Sequence, residues 1–145
     1  MVRRIVWIFA LTGAVVLAGL TAMLFSSQNQ IRIPAIAALV TFAAIILSHL
    51  GGIEAGLALR EEVGTERTRA VALGWSVVPA LAAWGILWLP SPQYQVGAAL
   101  ALFVGVWAAD LGLARQGLVP SWFVDMRTAV TAAVCVILGV ALYLL

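Results

Sequence analysis

The chain has 145 residues, 64% of them hydrophobic and 10% charged, with a formal charge of +2. A soluble domain is ordinarily ~45–50% apolar and ~25% charged, so this composition excludes a water-soluble globule and leaves room for a single membrane domain. The sequence pI of about 9.3 does not point to nucleic acid, because the eight arginines are dispersed and no basic face is gathered.

A transmembrane helix needs ~20 predominantly apolar residues. Five runs meet that requirement, at about 5–25, 34–59, 70–89, 94–114 and 128–145. The expected fold is therefore all-α, an integral membrane bundle of five transmembrane helices in one domain over 1–145. The first run follows Met1-Val2-Arg3-Arg4, as a signal peptide would. It exceeds the usual apolar core of ~7–15 residues and ends in no small-x-small cleavage site, so it reads as a retained helix.

Residues 26–32 are polar and closed by Pro34, which suits the first turn of the second helix. That helix carries His49 and Glu54, with Gly52 and Gly56 as a small-xxx-small pair for close helix packing. Residues 60–69 form the one strongly charged loop. Pro79 falls inside the third run, where it removes a backbone hydrogen bond and frees the Trp75 carbonyl. A kink is the usual outcome, and a carbonyl that binds an ion is the alternative. Leu89-Pro90-Ser91-Pro92 is a tight turn.

The fourth run carries Asp110 and a stripe of Gly97, Ala101, Gly105, Ala109 and Gly112, with Asp110 pointing away from the stripe. Either this helix is central or Asp110 faces another subunit. Gly117 ends it, and Pro120-Ser121 opens the next segment. The last run follows directly on Arg127 and holds Cys135, the one cysteine, so no intramolecular disulfide or cysteine metal cluster can form. Trp7, Trp75, Trp88 and Trp122 fall near helix ends as interfacial anchors, whereas Trp84 and Trp107 lie deeper as packing residues.

With five crossings, Arg3, Arg4, Arg60, Arg67, Arg69, Arg115 and Arg127 fall on one side and only Arg32 on the other. The positive-inside rule then expects the N-terminus in the cytoplasm and the C-terminus in the periplasm of a bacterial inner membrane.

Glu54 and Asp110 are the chemically informative residues. An ionisable group at membrane depth costs at least ~2.5–3.5 kcal/mol on insertion scales, so it faces protein or water and has a partner. Both acids fall in the inner third of the membrane, with Arg127 entering from the same side as the simplest counter-ion. Three readings stay open: a structural ion pair, a proton- or ion-handling site, and a contact with a partner. His49 lies about 140° around the helix from Glu54, so the two share no face; it reads as a hydrogen-bonded interhelical residue. No P-loop, His-Glu-x-x-His, Ser/His/Asp set or Gly-x-Gly-x-x-Gly occurs. No catalytic, cofactor-binding or metal-binding residue is assigned, and no cofactor is expected.

Three ordered runs carry a family resemblance. They are Leu50-Gly51-Gly52-Ile53 with Gly56-Leu57-Ala58, Ser76-Val77-Val78-Pro79 with Ala83-Trp84, and Asp110 followed by Gly117, Pro120, Trp122-Phe123, Arg127 and Thr131. Over residues 40–131 the chain resembles the uncharacterised membrane proteins of domain-of-unknown-function family 3429, the family that includes transmembrane protein 69. In that pattern the glycine pair is followed by a hydrophobic residue, then His or Arg, then Trp; here Glu54 and Ala55 hold the last two positions and the charge is reversed. The resemblance implies a multi-pass membrane protein of bacteria or mitochondria and carries no activity. The leading reading is a non-enzymatic accessory or assembly subunit of a larger membrane complex, with the lipid bilayer and other membrane subunits or a second copy as partners. The alternative is a small ion- or proton-coupled transporter using Glu54 and Asp110. An enzyme ranks last.

Overall fold

The computed structural model describes residues 2–60 and 64–145. Among them are six α-helices and no strand: α1 (Val2–Met23), α2 (Asn29–Ala58), α3 (Glu66–Ser76), α4 (Val78–Ile86), α5 (Pro92–Arg115) and α6 (Ser121–Leu144). The third and fourth together make one span, Glu66–Ile86, so five helical spans are long and apolar enough to cross a membrane. The chain is a multi-pass membrane protein.

The centre of the bundle is α2, which packs against α1, α3, α4 and α5. α6 lies along α5, and α1 closes over α2 and α6. Side-chain spacing explains this layering. On α5 the buried residues are Val96, Ala99, Phe103, Val106, Asp110 and Leu113, alternating three and four apart as the core seam of a helix bundle does. On α2 the stripe runs Ala35, Leu39, Ala43, Leu47, Gly51, Glu54 and Ala58. In both helices a carboxylate occupies a position that packing reserves for the core.

Element ends differ from the apolar runs where polar residues are helical. α2 starts five residues before Pro34, after a break in which the Gln28 amide donates to the Ser26 hydroxyl at 3.2 Å. Pro34 therefore sits inside the helix instead of in its first turn. α6 starts at Ser121, seven residues before the expected 128, because Asp125 and Arg127 are carried within the helix. α3 is capped by Thr65, whose side chain accepts from the Thr68 amide, so Arg67 and Arg69 belong to a helix. Of the expected charged loop, Arg60, Gly64 and Thr65 are non-helical, and 61–63 lie outside the described residues.

Gly117 ends α5 as expected. Its φ of 77° lets the Leu118 amide reach the Leu113 carbonyl at 3.1 Å and its own amide reach Ala114 at 3.0 Å, satisfying carbonyls the helix end would orphan. The short connection that follows returns α6 antiparallel to α5.

Two sets of contacts define the ends of the bundle. At one end Arg3 of α1 lies over the Trp122 ring of α6, 5.7 Å from its centroid, and Arg69 reaches the Arg60 carbonyl. At the other, Arg32 donates to the Leu144 carbonyl and Gln93 to the Leu145 carbonyl at 2.9 Å. The first end carries Arg3, Arg4, Arg60, Arg67, Arg69 and Arg115.

Candidate functional site

Three charged side chains from three helices meet inside the bundle, toward its arginine-rich end. Glu54 of α2 and Asp110 of α5 are each 2% exposed, and Arg127 of α6 is 5% exposed. The Arg127 Nε donates to Asp110 Oδ2 at 2.6 Å, the short distance of a charge-assisted bond. Glu54 lies beside both groups, within reach of the Asp110 carboxyl, and no N–H or hydroxyl donates to either of its oxygens. Arg127 uses one edge of its fork; its Nη2 is buried with no acceptor.

Thr131, one turn beyond Arg127 on α6, adds a second free polar atom. Thr12 and Thr128 each donate their hydroxyl back to the carbonyl four residues earlier, the usual helical resting place. The Thr131 hydroxyl is buried without that bond or any other. Each such group costs ~1–3 kcal/mol when left unpaired, so a cluster of them marks a place where folding stability has been given up.

Next to the cluster is an apolar cavity of about 540 Å³ between α1, α2, α5 and α6. Its inner wall holds Leu50, Phe103, Arg127 and Thr131, and its rim holds Phe9, which is 74% exposed, and the exposed His49. The cavity therefore opens sideways, on the surface that faces lipid.

The remaining sequence-derived candidates stand apart from this cluster. His49 makes no hydrogen bond among the described residues; it is not an interhelical bridge but a rim residue of the cavity. Gly52, Gly56 and Gly105 are exposed, and a Cβ added at any of them would meet nothing within 4 Å, so none packs a helix within the chain. That packing role belongs to Gly51, where a Cβ would sit 2.3 Å from the Ser76 carbonyl oxygen and 3.6 Å from Pro79. Only a glycine lets α2 pass so near that backbone. Pro79 is buried at the second position of α4; the span Glu66–Ile86 is interrupted only at Val77, whose φ of −79° and ψ of −26° remain helical, as at a proline kink. Trp84 is not a packing residue either: it is exposed and meets Trp88 edge to face. Trp107 does bridge helices, donating to the Thr128 hydroxyl at 2.9 Å.

Neither Gly51 nor Thr131 stands out from the sequence as a site residue, although each carries a signal. Gly51 falls on the α2 core stripe and Gly52 does not; Thr131 falls on the α6 stripe of Phe123, Arg127, Thr131, Val134 and Leu138. The cavity has no such signal, since it depends on how α1 lies across α2 and α6.

The family described as "Protein of unknown function (DUF3429)" matches residues 2–143, nearly the whole chain. No curated protein and no solved structure matches it.

Proposed function

The chain belongs to the DUF3429 family, a membership that brings no activity with it, and we propose that it is a non-enzymatic accessory or assembly subunit of a larger complex in the bacterial inner membrane. In this reading the N-terminus is cytoplasmic and the C-terminus periplasmic. The observation that supports it is the outer face of α5. Asp110 and its seam turn inward, while Ala101 and Gly105 are exposed and Gly97, Gly105 and Gly112 have open space beyond them. In lipid, small residues let a second helix approach closely, and they gain nothing by facing acyl chains alone.

The test is purification in mild detergent with mass spectrometry of what accompanies the chain. A reproducible stoichiometric partner, lost from the Gly105→Leu variant while thermal stability is kept, is the expected result. A lone homo-oligomer would remove this reading and favour a small ion- or proton-coupled transporter. That second reading draws its support from Glu54, an intramembrane acid to whose oxygens no N–H or hydroxyl donates.

A further inference from the structure

We propose that the cavity between α1, α2, α5 and α6 seats an acyl chain of an anionic phospholipid whose phosphate lies against Arg3 and Arg4. The cavity, about 540 Å³, opens sideways past the exposed Phe9, on the face that meets lipid. Val6, Ala14, Ile46, Ile53, Phe103 and Val134 make its wall almost entirely carbon, with His49 as a polar group on the rim. Arg127 and Thr131 stand behind this wall, with the Arg127 Nη2 and the Thr131 hydroxyl closed off from any surface. An empty apolar space forfeits the dispersion contacts of its lining. Inside a bilayer the hydrocarbon at its mouth restores them.

Depth fits the tail to one leaflet. The lining runs from Val6 to Ala14 on α1, from Phe123 to Val134 on α6, and from Ile53 back to Ile46 on α2. Counted from the helix ends on the arginine-rich side at 1.5 Å per residue, it reaches from ~5 to ~20 Å deep. That stretch of ~15 Å is half of a hydrocarbon core of ~30 Å. A lipid of that leaflet brings its tail to the cavity and its head to the arginines.

Charge selects the head. Val6 of α1, Leu57 of α2, and Phe123 and Met126 of α6 pack in one cluster at this end of the cavity. Arg3 stands one turn before Val6 on the same face of α1, and its guanidinium lies over the Trp122 ring, next to Phe123. Stacking on a ring leaves the in-plane N–H donors of arginine free for a phosphate. Arg4 is beside it, both are exposed, and among the described residues neither pairs with a carboxylate. Asp125 lies on a different face of α6, in a shallow depression it lines with Arg115, and Glu66 belongs to α3, which packs against α2 and α4. A head with net negative charge is attracted here, whereas the ammonium of a zwitterionic head meets two like charges.

The experiment titrates the full-length protein in dodecyl maltoside with dioleoyl phosphatidylglycerol or dioleoyl phosphatidylethanolamine and counts bound lipid by native mass spectrometry. Phosphatidylglycerol should saturate near one per chain. It should do so at a lower concentration than phosphatidylethanolamine, by about fivefold for each arginine engaged. Arg3→Gln with Arg4→Gln, both at exposed positions, should erase that preference and leave the lipid-free unfolding midpoint unchanged. Gly13→Leu, which fills the cavity from α1, should lose the saturable adduct of both lipids. Ala10→Leu repeats that test from the preceding turn of α1, should Gly13→Leu melt lower. No saturable adduct on the unaltered protein, equal affinity for the two lipids, or a preference that survives the arginine changes would overturn the proposal. So would an undiminished adduct on the filled variants. A second chain or a foreign polypeptide in place of lipid in the same spectra would also overturn it, by giving the cavity to a helix.

Discussion

Arg127 reaches Asp110 through Nε and leaves Nη2 without an acceptor, so the pair is held by one strong contact in a medium that offers no water to replace it. Removing either partner strands the other, which typically costs ~3–5 kcal/mol for a buried pair. Asp110→Ala and Arg127→Ala should each lower the unfolding midpoint in detergent, and the double variant should lose clearly less than the two losses added. Additive losses would mean the residues act independently. Gly51 allows a second residue-scale test. The Gly51→Ala methyl would meet the Ser76 carbonyl oxygen at 2.3 Å, so backbone must shift at a loss of ~1–3 kcal/mol. Gly52→Ala, one residue away with open space beyond, should be neutral or slightly stabilising, because alanine favours helix over glycine by ~1 kcal/mol. Thermal melts of the two variants side by side decide the matter: equal behaviour would refute the close approach.

At the scale of elements, the five spans were legible because lipid demands length and apolarity, and both are written locally in the chain. Ends were less legible. A run of apolar residues stops at a charge, but a helix does not, and Arg127 is buried within α6 by its bond to Asp110. The inward direction of Asp110 could be read from the three-and-four spacing of Val96, Ala99, Phe103 and Val106 before it. The kink in the third span was legible in Pro79, though not its fit to a neighbour: Gly51 of α2 lies against Ser76 and Pro79. A contact of that kind depends on two segments meeting at one height, and no local pattern encodes it. The same holds for the cavity, whose walls come from four helices. Glu54, Asp110 and Arg127 stood out by their chemistry, whereas Thr131 did not, because a threonine in a membrane helix ordinarily satisfies itself.

For the whole molecule, orientation ties the cluster to a side of the membrane. The helices that begin or end near Arg3, Arg60, Arg67, Arg69 and Arg115 share one end of the bundle, joined by the Arg3–Trp122 and Arg69–Arg60 contacts. Arg32 lies at the other end, donating to the Leu144 carbonyl. In the proposed orientation the arginine-rich end is cytoplasmic, since translocating those loops would carry their positive charge across the membrane. Alkaline phosphatase fused after Leu145 should then be active, and fused after Arg67 it should be silent; a cytoplasmic reporter at the same two points should give the inverse. The cluster would consequently lie in the inner half of the membrane, with Glu54 four residues before the end of α2 and Asp110 five before the end of α5. That is ~6–8 Å from the end of each helix at 1.5 Å per residue, near enough for a proton or a partner's side chain to arrive from the cytoplasm. Activity at the inner fusion and silence at Leu145 would invert the bundle, and the acids would then face the periplasm with the rest of the geometry unchanged.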